Sequence, residues 1–155
     1  MIKLPCKKPE LYNYSIHKER MLLIDQIDSY NLSDCTIETS VFVNNNSEFL
    51  SNNKIASWIS FEYMAQNIAL LSTITHQERG EKPEIGFIMN VRDFIAHESF
   101  FSLGDSISIE VEQTFREGNI AVFEGRTIVQ GKCYTSGIVS VAESTDEIIS
   151  TWKKK

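Results

Sequence analysis

The chain has 155 residues, with 15 basic against 21 acidic side chains and a net charge of −6. That length predicts a single domain spanning residues 1–155, since domains take roughly 100–200 residues. A hydrophobic fraction of 42% with 23% charged residues is too apolar for a disordered chain. The acidic balance argues against a general nucleic-acid binder, which needs positive charge to neutralise phosphates. No apolar run reaches the roughly 18–20 residues of a membrane span, and the start MIKLPCKKPEL lacks the apolar stretch of a secretory signal. The expected location is therefore the cytosol, away from membranes. Cys6, Cys35 and Cys133 lie far apart with no CxxC, which points to reduced thiols rather than to a disulfide framework or a metal site.

The first apolar run, Met21–Ile27, suits a buried strand or a brief helix. Cys35–Val43 alternates, with Ile37, Thr39, Val41 and Val43 on one face and Glu38 and Ser40 on the other, as a strand does. Asn44–Ser47 ends it with turn residues. From Trp58 to His76 there is no Gly or Pro, and apolar residues recur at helical spacing around most of the circumference. This predicts a long, largely buried helix with Ser57 as its N-cap and Gly80 as its stop. After Pro83 the pattern returns to strands at Ile85–Phe94, Ser106–Phe115, Ile120–Val129 and Cys133–Ala142. Turns are expected at Leu103-Gly104-Asp105, Glu117-Gly118-Asn119 and Gly131-Lys132. The tail Asp146–Lys155 suits a short helix. The sum is an α+β domain, an antiparallel sheet around one long helix, with a second subunit burying what the sheet leaves uncovered.

Few residues invite chemistry. His17 sits in a polar stretch, where an imidazole is either solvated or a base with a pKa near neutrality. Glu62 lies in the second turn of an otherwise apolar helix. It either complements the helix dipole or is a shielded carboxyl whose pKa is raised enough to donate a proton near pH 7. Gln66, at i+4, shares its face and could hold it. His76 at the helix end suits the dipole, His97 has no neighbour in sequence to pair with, and Arg92-Asp93 reads as a surface pair at a strand end.

Three stretches together resemble a known family. Ile16-His17-Lys18-Glu19-Arg20-Met21-Leu22-Leu23-Ile24-Asp25 is similar to an H-x-x-P-[FM]-L-L-[VIL]-D segment. Glu62-Tyr63-Met64-Ala65-Gln66 is similar to an E-x-x-A-Q helix start. Gly86, Val91-Arg92-Asp93-Phe94 and Leu103-Gly104-Asp105 follow in the order of a G-[IF]-x…F…P-G-D run. The family is the hotdog-fold 3-hydroxyacyl-acyl carrier protein dehydratases, in the divergent branch associated with aryl polyenes. Arg20 stands where the family has proline, and Ser57 where it has a glycine that lets a thioester approach the backbone. The resemblance implies a hotdog fold and conversion of a 3-hydroxyacyl thioester to the trans-2-enoyl thioester in fatty-acid or polyene biosynthesis. His17 would be the base and Glu62 the acid. Ser57, Trp58, Gln66 and Gly86 would border the substrate, with helix-start amides near Ser57 and Trp58 stabilising the enolate. It implies neither cofactor nor metal. The partners would be an acyl carrier protein and a second hotdog subunit, as homodimer or heterodimer, with histidine and carboxylate from different subunits. Lys3, Lys7, Lys8, Lys18 and Lys153–Lys155 are the candidate carrier-facing cations. A subunit that only binds carrier or partner, and an acyl thioesterase, are the alternatives on the same fold.

Overall fold

The computed structural model describes residues 2–144, so the expected tail helix and Lys153–Lys155 lie outside the described residues. The long helix, α1, runs Ser60–Glu78. Its start differs from expectation. Ser57 opens a 3₁₀ turn, Ser57–Ile59, and no side chain caps either element. Its end follows the sequence. Gly80 adopts φ 70°, its N–H donates to Gln77 O, and the Glu81 N–H donates to His76 O. This is the left-handed stop that glycine allows without a Cβ clash.

Seven strands form one sheet in the order β1-β2-β3-β7-β8-β9-β5, each paired antiparallel to its neighbours. These are β1 (Cys6–Lys7), β2 (Gln26–Asn31), β3 (Thr36–Phe42), β5 (Ile85–Ala96), β7 (Ser106–Glu117), β8 (Ile120–Val129) and β9 (Lys132–Ser144). β4 (Lys54–Ala56) and β6 (Phe100–Ser102) pair separately. The run Met21–Ile27 is not one strand. Met21 closes a 3₁₀ turn, Glu19–Met21, residues 22–25 lie outside the named strands, and β2 begins at Gln26. Arg92 and Asp93 do not end a strand either. They sit at a bulge within β5, where Asp93 has φ 52°.

The sheet wraps α1, which packs on β3, β7, β8 and β9. Gly125 of β8 permits the close approach: a Cβ there would lie 2.8 Å from Met64 Sδ. Buried polar side chains pin the helix. Asn67 Nδ2 donates to Ile109 O at 3.1 Å, and Thr39 Oγ1 donates to Asn67 Oδ1 at 2.6 Å. The hydroxyls of Ser60, Thr135 and Thr127 form a chain at 2.7 and 2.6 Å. Among the described residues no buried side-chain nitrogen or oxygen lacks a partner, as a stable interior requires.

α1 stays partly uncovered, as expected from a sheet around it, with Phe61, Ala65 and Ala69 only half-buried, and β5 adds a second apolar surface. Among the described residues that strand pairs with β9 alone and exposes Ile85, Phe87, Ile88, Met89, Val91 and Ile95. Asn67→Ala strands the Ile109 carbonyl and the Thr39 hydroxyl in the core, so it is expected to cost about 1–3 kcal/mol, read as a lower urea midpoint with an unchanged m value.

Candidate active site

Gln66 is 1% exposed. Its Nε2 donates to Met21 O at 2.8 Å and to Glu62 Oε1 at 3.1 Å, while its Oε1 accepts from the Leu23 N–H at 2.8 Å. One buried amide therefore anchors residues 21–23 and orients the carboxyl one helical turn earlier. Glu62 is half-buried rather than fully shielded. It stands in the wall between two hollows.

The first is a cavity of about 210 Å³ that both His17 and Glu62 line. Ala65, Ile68 and Ala69 of α1 face Ile88 and Val141 of the sheet across it. Gly86 belongs to the same wall, where a Cβ would press to 3.0 Å from Val141 Cγ1 and narrow the space. His17 is half-buried in a loop that its own N–H steadies by donating to Ser15 Oγ at 2.9 Å. Asn13 O accepts from Gln77, and Met21 O from Gln66. Residues 13–21 thus run antiparallel to α1, and His17 among them lines the cavity.

The second hollow is an open groove of about 610 Å³ beside Glu62, lined by Met21, Phe49, Trp58 and Phe61, with Arg20 and Glu48 paired at 2.7 Å on its rim. Trp58 is 66% exposed there. Ser57 is buried, and its N–H donates to Ser99 O at 2.9 Å. That amide is not available to an enolate, because β4 and the turn after it are tied to the β5–β6 connection. A third hollow, about 660 Å³, lies along β3, β7, β8 and β9 among Glu38, Glu110, Glu112 and Glu124, and none of the expected site residues lines it. Of the expected carrier-facing cations, Lys8 is engaged by Leu22 O and Asp25, and Lys18 by Tyr12 O. Lys3 and Lys7 are exposed.

One group of residues carried no signal in the sequence. At the far end of the first cavity from Glu62 stand Glu84 and Glu143. Arg116 donates to both Glu143 oxygens, at 2.8 and 3.2 Å, and the Glu143 side chain is only 10% exposed. Burial pushes the Glu143 carboxyl up, but the hydrogen bond and charge of Arg116, helped by His76, hold it below the ordinary carboxylate range. His76 Nδ1 lies 2.8 Å from Ser72 O, which makes that nitrogen the donor. His76, Glu84 and Glu143 offer ligand atoms within 4.8 Å of one another. With both Glu143 oxygens already held by a guanidinium, the group fits an ion-pair network better than a metal centre. It joins the end of α1, the start of β5, and residues of β7 and β9, so no local pattern reveals it.

The family of ApeP-like dehydratases (ApeP dehydratase) matches residues 9–151. The chain belongs to this family. The dehydratase heterocomplex ApeI:P from Xenorhabdus doucetiae superposes with a TM-score of 0.84 at 23% identity, covering 99% of this chain and 100% of that one. A hypothetical thioesterase with coenzyme A from Streptococcus pneumoniae TIGR4 superposes at 0.61 and 13% identity, over 76% and 84% of the two chains. The Escherichia coli PaaI protein does so at 0.59 and 9%, over 77% and 78%. No curated protein matches in sequence. These neighbours fix the hotdog fold, and the family match makes this chain a dehydratase. Among the described residues no helix is long and apolar enough to cross a membrane.

The lowered carboxyl of Glu143 sets an acid limit. Its stabilisation is complete above the ordinary value of 4.5 and is lost as pH falls through the lower folded value. Urea unfolding should show stability declining below about pH 4.5, and Arg116→Met should remove that part of the decline.

Proposed function

We propose that this chain dehydrates a 3-hydroxyacyl thioester, carried by an acyl carrier protein, to the trans-2-enoyl thioester in fatty-acid or polyene biosynthesis. The observation that carries the reading is the shared cavity: an imidazole and a carboxyl, His17 and Glu62, line one elongated, mostly apolar space. An imidazole titrates near neutral pH and suits removal of the proton between the carbonyl and the hydroxyl-bearing carbon. The electrons of that C–H bond become the new double bond. The C–O bond breaks, and the hydroxyl leaves as water with a proton from Glu62. Gln66 holds the Glu62 carboxyl in position, Gly86 keeps the cavity wide, and Trp58 borders the groove on the other side of the acid.

A hotdog partner completes the assembly. Among the described residues β5 is the last strand of the sheet and exposes a row of apolar side chains, a surface that folded proteins normally pair or cover. The likeness to a heterocomplex favours a hotdog heterodimer over a homodimer. In such an assembly the base can come from either subunit. The family resemblance implies histidine and carboxylate from different subunits, so a base supplied across the interface is the second reading.

Purified chain, alone and with its partner hotdog subunit, is expected to convert a 3-hydroxyacyl thioester to the conjugated enoyl product, followed by ultraviolet absorbance. Glu62→Gln should keep the fold and lose about 10²–10⁴-fold in kcat, the range for a general acid, and His17→Ala should fall comparably. Near wild-type turnover in Glu62→Gln, or release of free thiol in place of enoyl product, contradicts the proposal. Full activity in His17→Ala alone moves the base to the partner. Charge on the exposed edge, as in Met89→Lys, should weaken association about tenfold or more, measured by sedimentation, with folding unchanged.

A further inference from the structure

The sheet has a second face, turned away from α1, and its chemistry changes along the strands. Alternation puts Ile120, Val122, Glu124 and Arg126 of β8 on that face, since Ala121, Phe123, Gly125 and Thr127 are buried toward the helix. Cross-strand pairing sets Ala142 beside Ile120 and Phe115 beside Val122. Phe115 is 52% and Ile120 39% exposed, so these apolar side chains form a surface patch at one end of the sheet. Further along β8 the same face turns acidic. Glu112 stands directly opposite Glu124, and Glu38 opposite Glu110. Like charges in directly opposed positions destabilise a sheet. Arg126 answers Glu110 at 2.6 Å and the Ser108 hydroxyl donates to Glu38. Among the described residues no cation pairs with Glu112 or Glu124.

The described residues end at Ser144, just past Ala142 on β9 and beside the apolar patch. The sequence that follows, residues 145–155, has the same order of polarity. Ile148, Ile149 and Trp152 come first, spaced to share one face of a helix, and Lys153–Lys155 come last. Asp146 and Glu147 ahead of them and the lysines behind suit a helix dipole. Length agrees with this order. As a helix, Asp146–Lys155 would span about 15 Å. The stretch of β9 from Ala142 back to Ile138, which pairs with Glu124, spans about 13 Å. We propose that residues 145–155 fold back over the outer face of the sheet as an amphipathic helix. Ile148, Ile149 and Trp152 rest on Phe115, Ile120, Val122 and Ala142, and Lys153–Lys155 lie over the Glu112–Glu124 pair. β9 turns Ala142 to this face and Val141 into the cavity that His17 and Glu62 line, so the docked segment braces the cavity wall from behind.

Trp152 reports the docking. In the full chain carrying Trp58→Phe it is the remaining tryptophan. Burial of Ile148, Ile149 and the indole should make the docked form outnumber the free one about tenfold or more. Trp152 should therefore emit further to the blue, and be quenched severalfold less by acrylamide, than in a peptide of residues 145–155. Phe115→Asp/Ile120→Asp changes side chains that face away from the core. It should return quenching to the peptide's level with far-ultraviolet circular dichroism unchanged. Glu112→Lys/Glu124→Lys should also raise quenching, and adding Lys153→Glu, Lys154→Glu and Lys155→Glu to that chain should lower it again, a rescue that loss of structure would not give. Quenching at the peptide's level in the Trp58→Phe chain overturns the proposal. So does protection that survives both pairs of substitutions, which places the segment elsewhere, and protection that fades on dilution, which places it on a second copy.

Discussion

A buried primary amide governs this structure. Gln66 has two donors and an acceptor in a water-excluded position, and each finds its match: Met21 O, Glu62 Oε1 and the Leu23 N–H. An unmatched group there would cost about 1–3 kcal/mol, so the amide fixes its partners as firmly as they fix it. The consequence is spatial. The segment entering β2 is laid against α1, the loop bearing His17 is drawn along the helix, and the one carboxyl of the first helical turn is aimed at the cavity wall. Stability and chemistry share the same three hydrogen bonds.

The sheet supplies the rest. Seven antiparallel strands curve over α1, and the hydroxyl chain of Ser60, Thr135 and Thr127 with the Asn67 amide locks the helix at one height and rotation. A rigid helix can then serve as a ruler, with residues at successive turns lining a cavity whose chemistry changes from one end to the other. The cavity wall also includes Gly86 and Ile88 of the exposed edge strand. Association along β5 would therefore act directly on the shape of the site, which links the partner to the chemistry.

The elements legible in the sequence are those long enough to repeat. α1 spans five turns of apolar periodicity, and β3, β7 and β8 alternate between a wet and a buried face. The two- and three-residue strands β1, β4 and β6 hold too few residues to display a period. Met21–Ile27 reads as one element because four apolar residues open it, yet Leu22–Asp25 lie outside the named strands and only Gln26 and Ile27 pair in the sheet. Ser57 has the chemistry of a cap but is the first residue of a 3₁₀ turn, where the β5–β6 connection claims its amide. Of the site, Glu62 and Gln66 are visible together as an i,i+4 pair on a helix. His17 joins them only through family resemblance and the fold. The network of Arg116, Glu143, Glu84 and His76 is invisible in sequence, because it is assembled from four separate stretches, and His76 alone reads only as a cation that suits the helix dipole.

The central claim is that the reacting carbons of an acyl chain lie within the cavity beside Glu62. A crystal structure of the protein with a stable amide analogue of a 3-hydroxyacyl thioester tests it most directly. The 3-hydroxyl oxygen should lie within hydrogen-bonding distance of a Glu62 carboxyl oxygen, with an imidazole nitrogen on the far side of the neighbouring carbon. An analogue bound elsewhere, with its hydroxyl in solvent and the space between α1 and β5 vacant, would contradict the account.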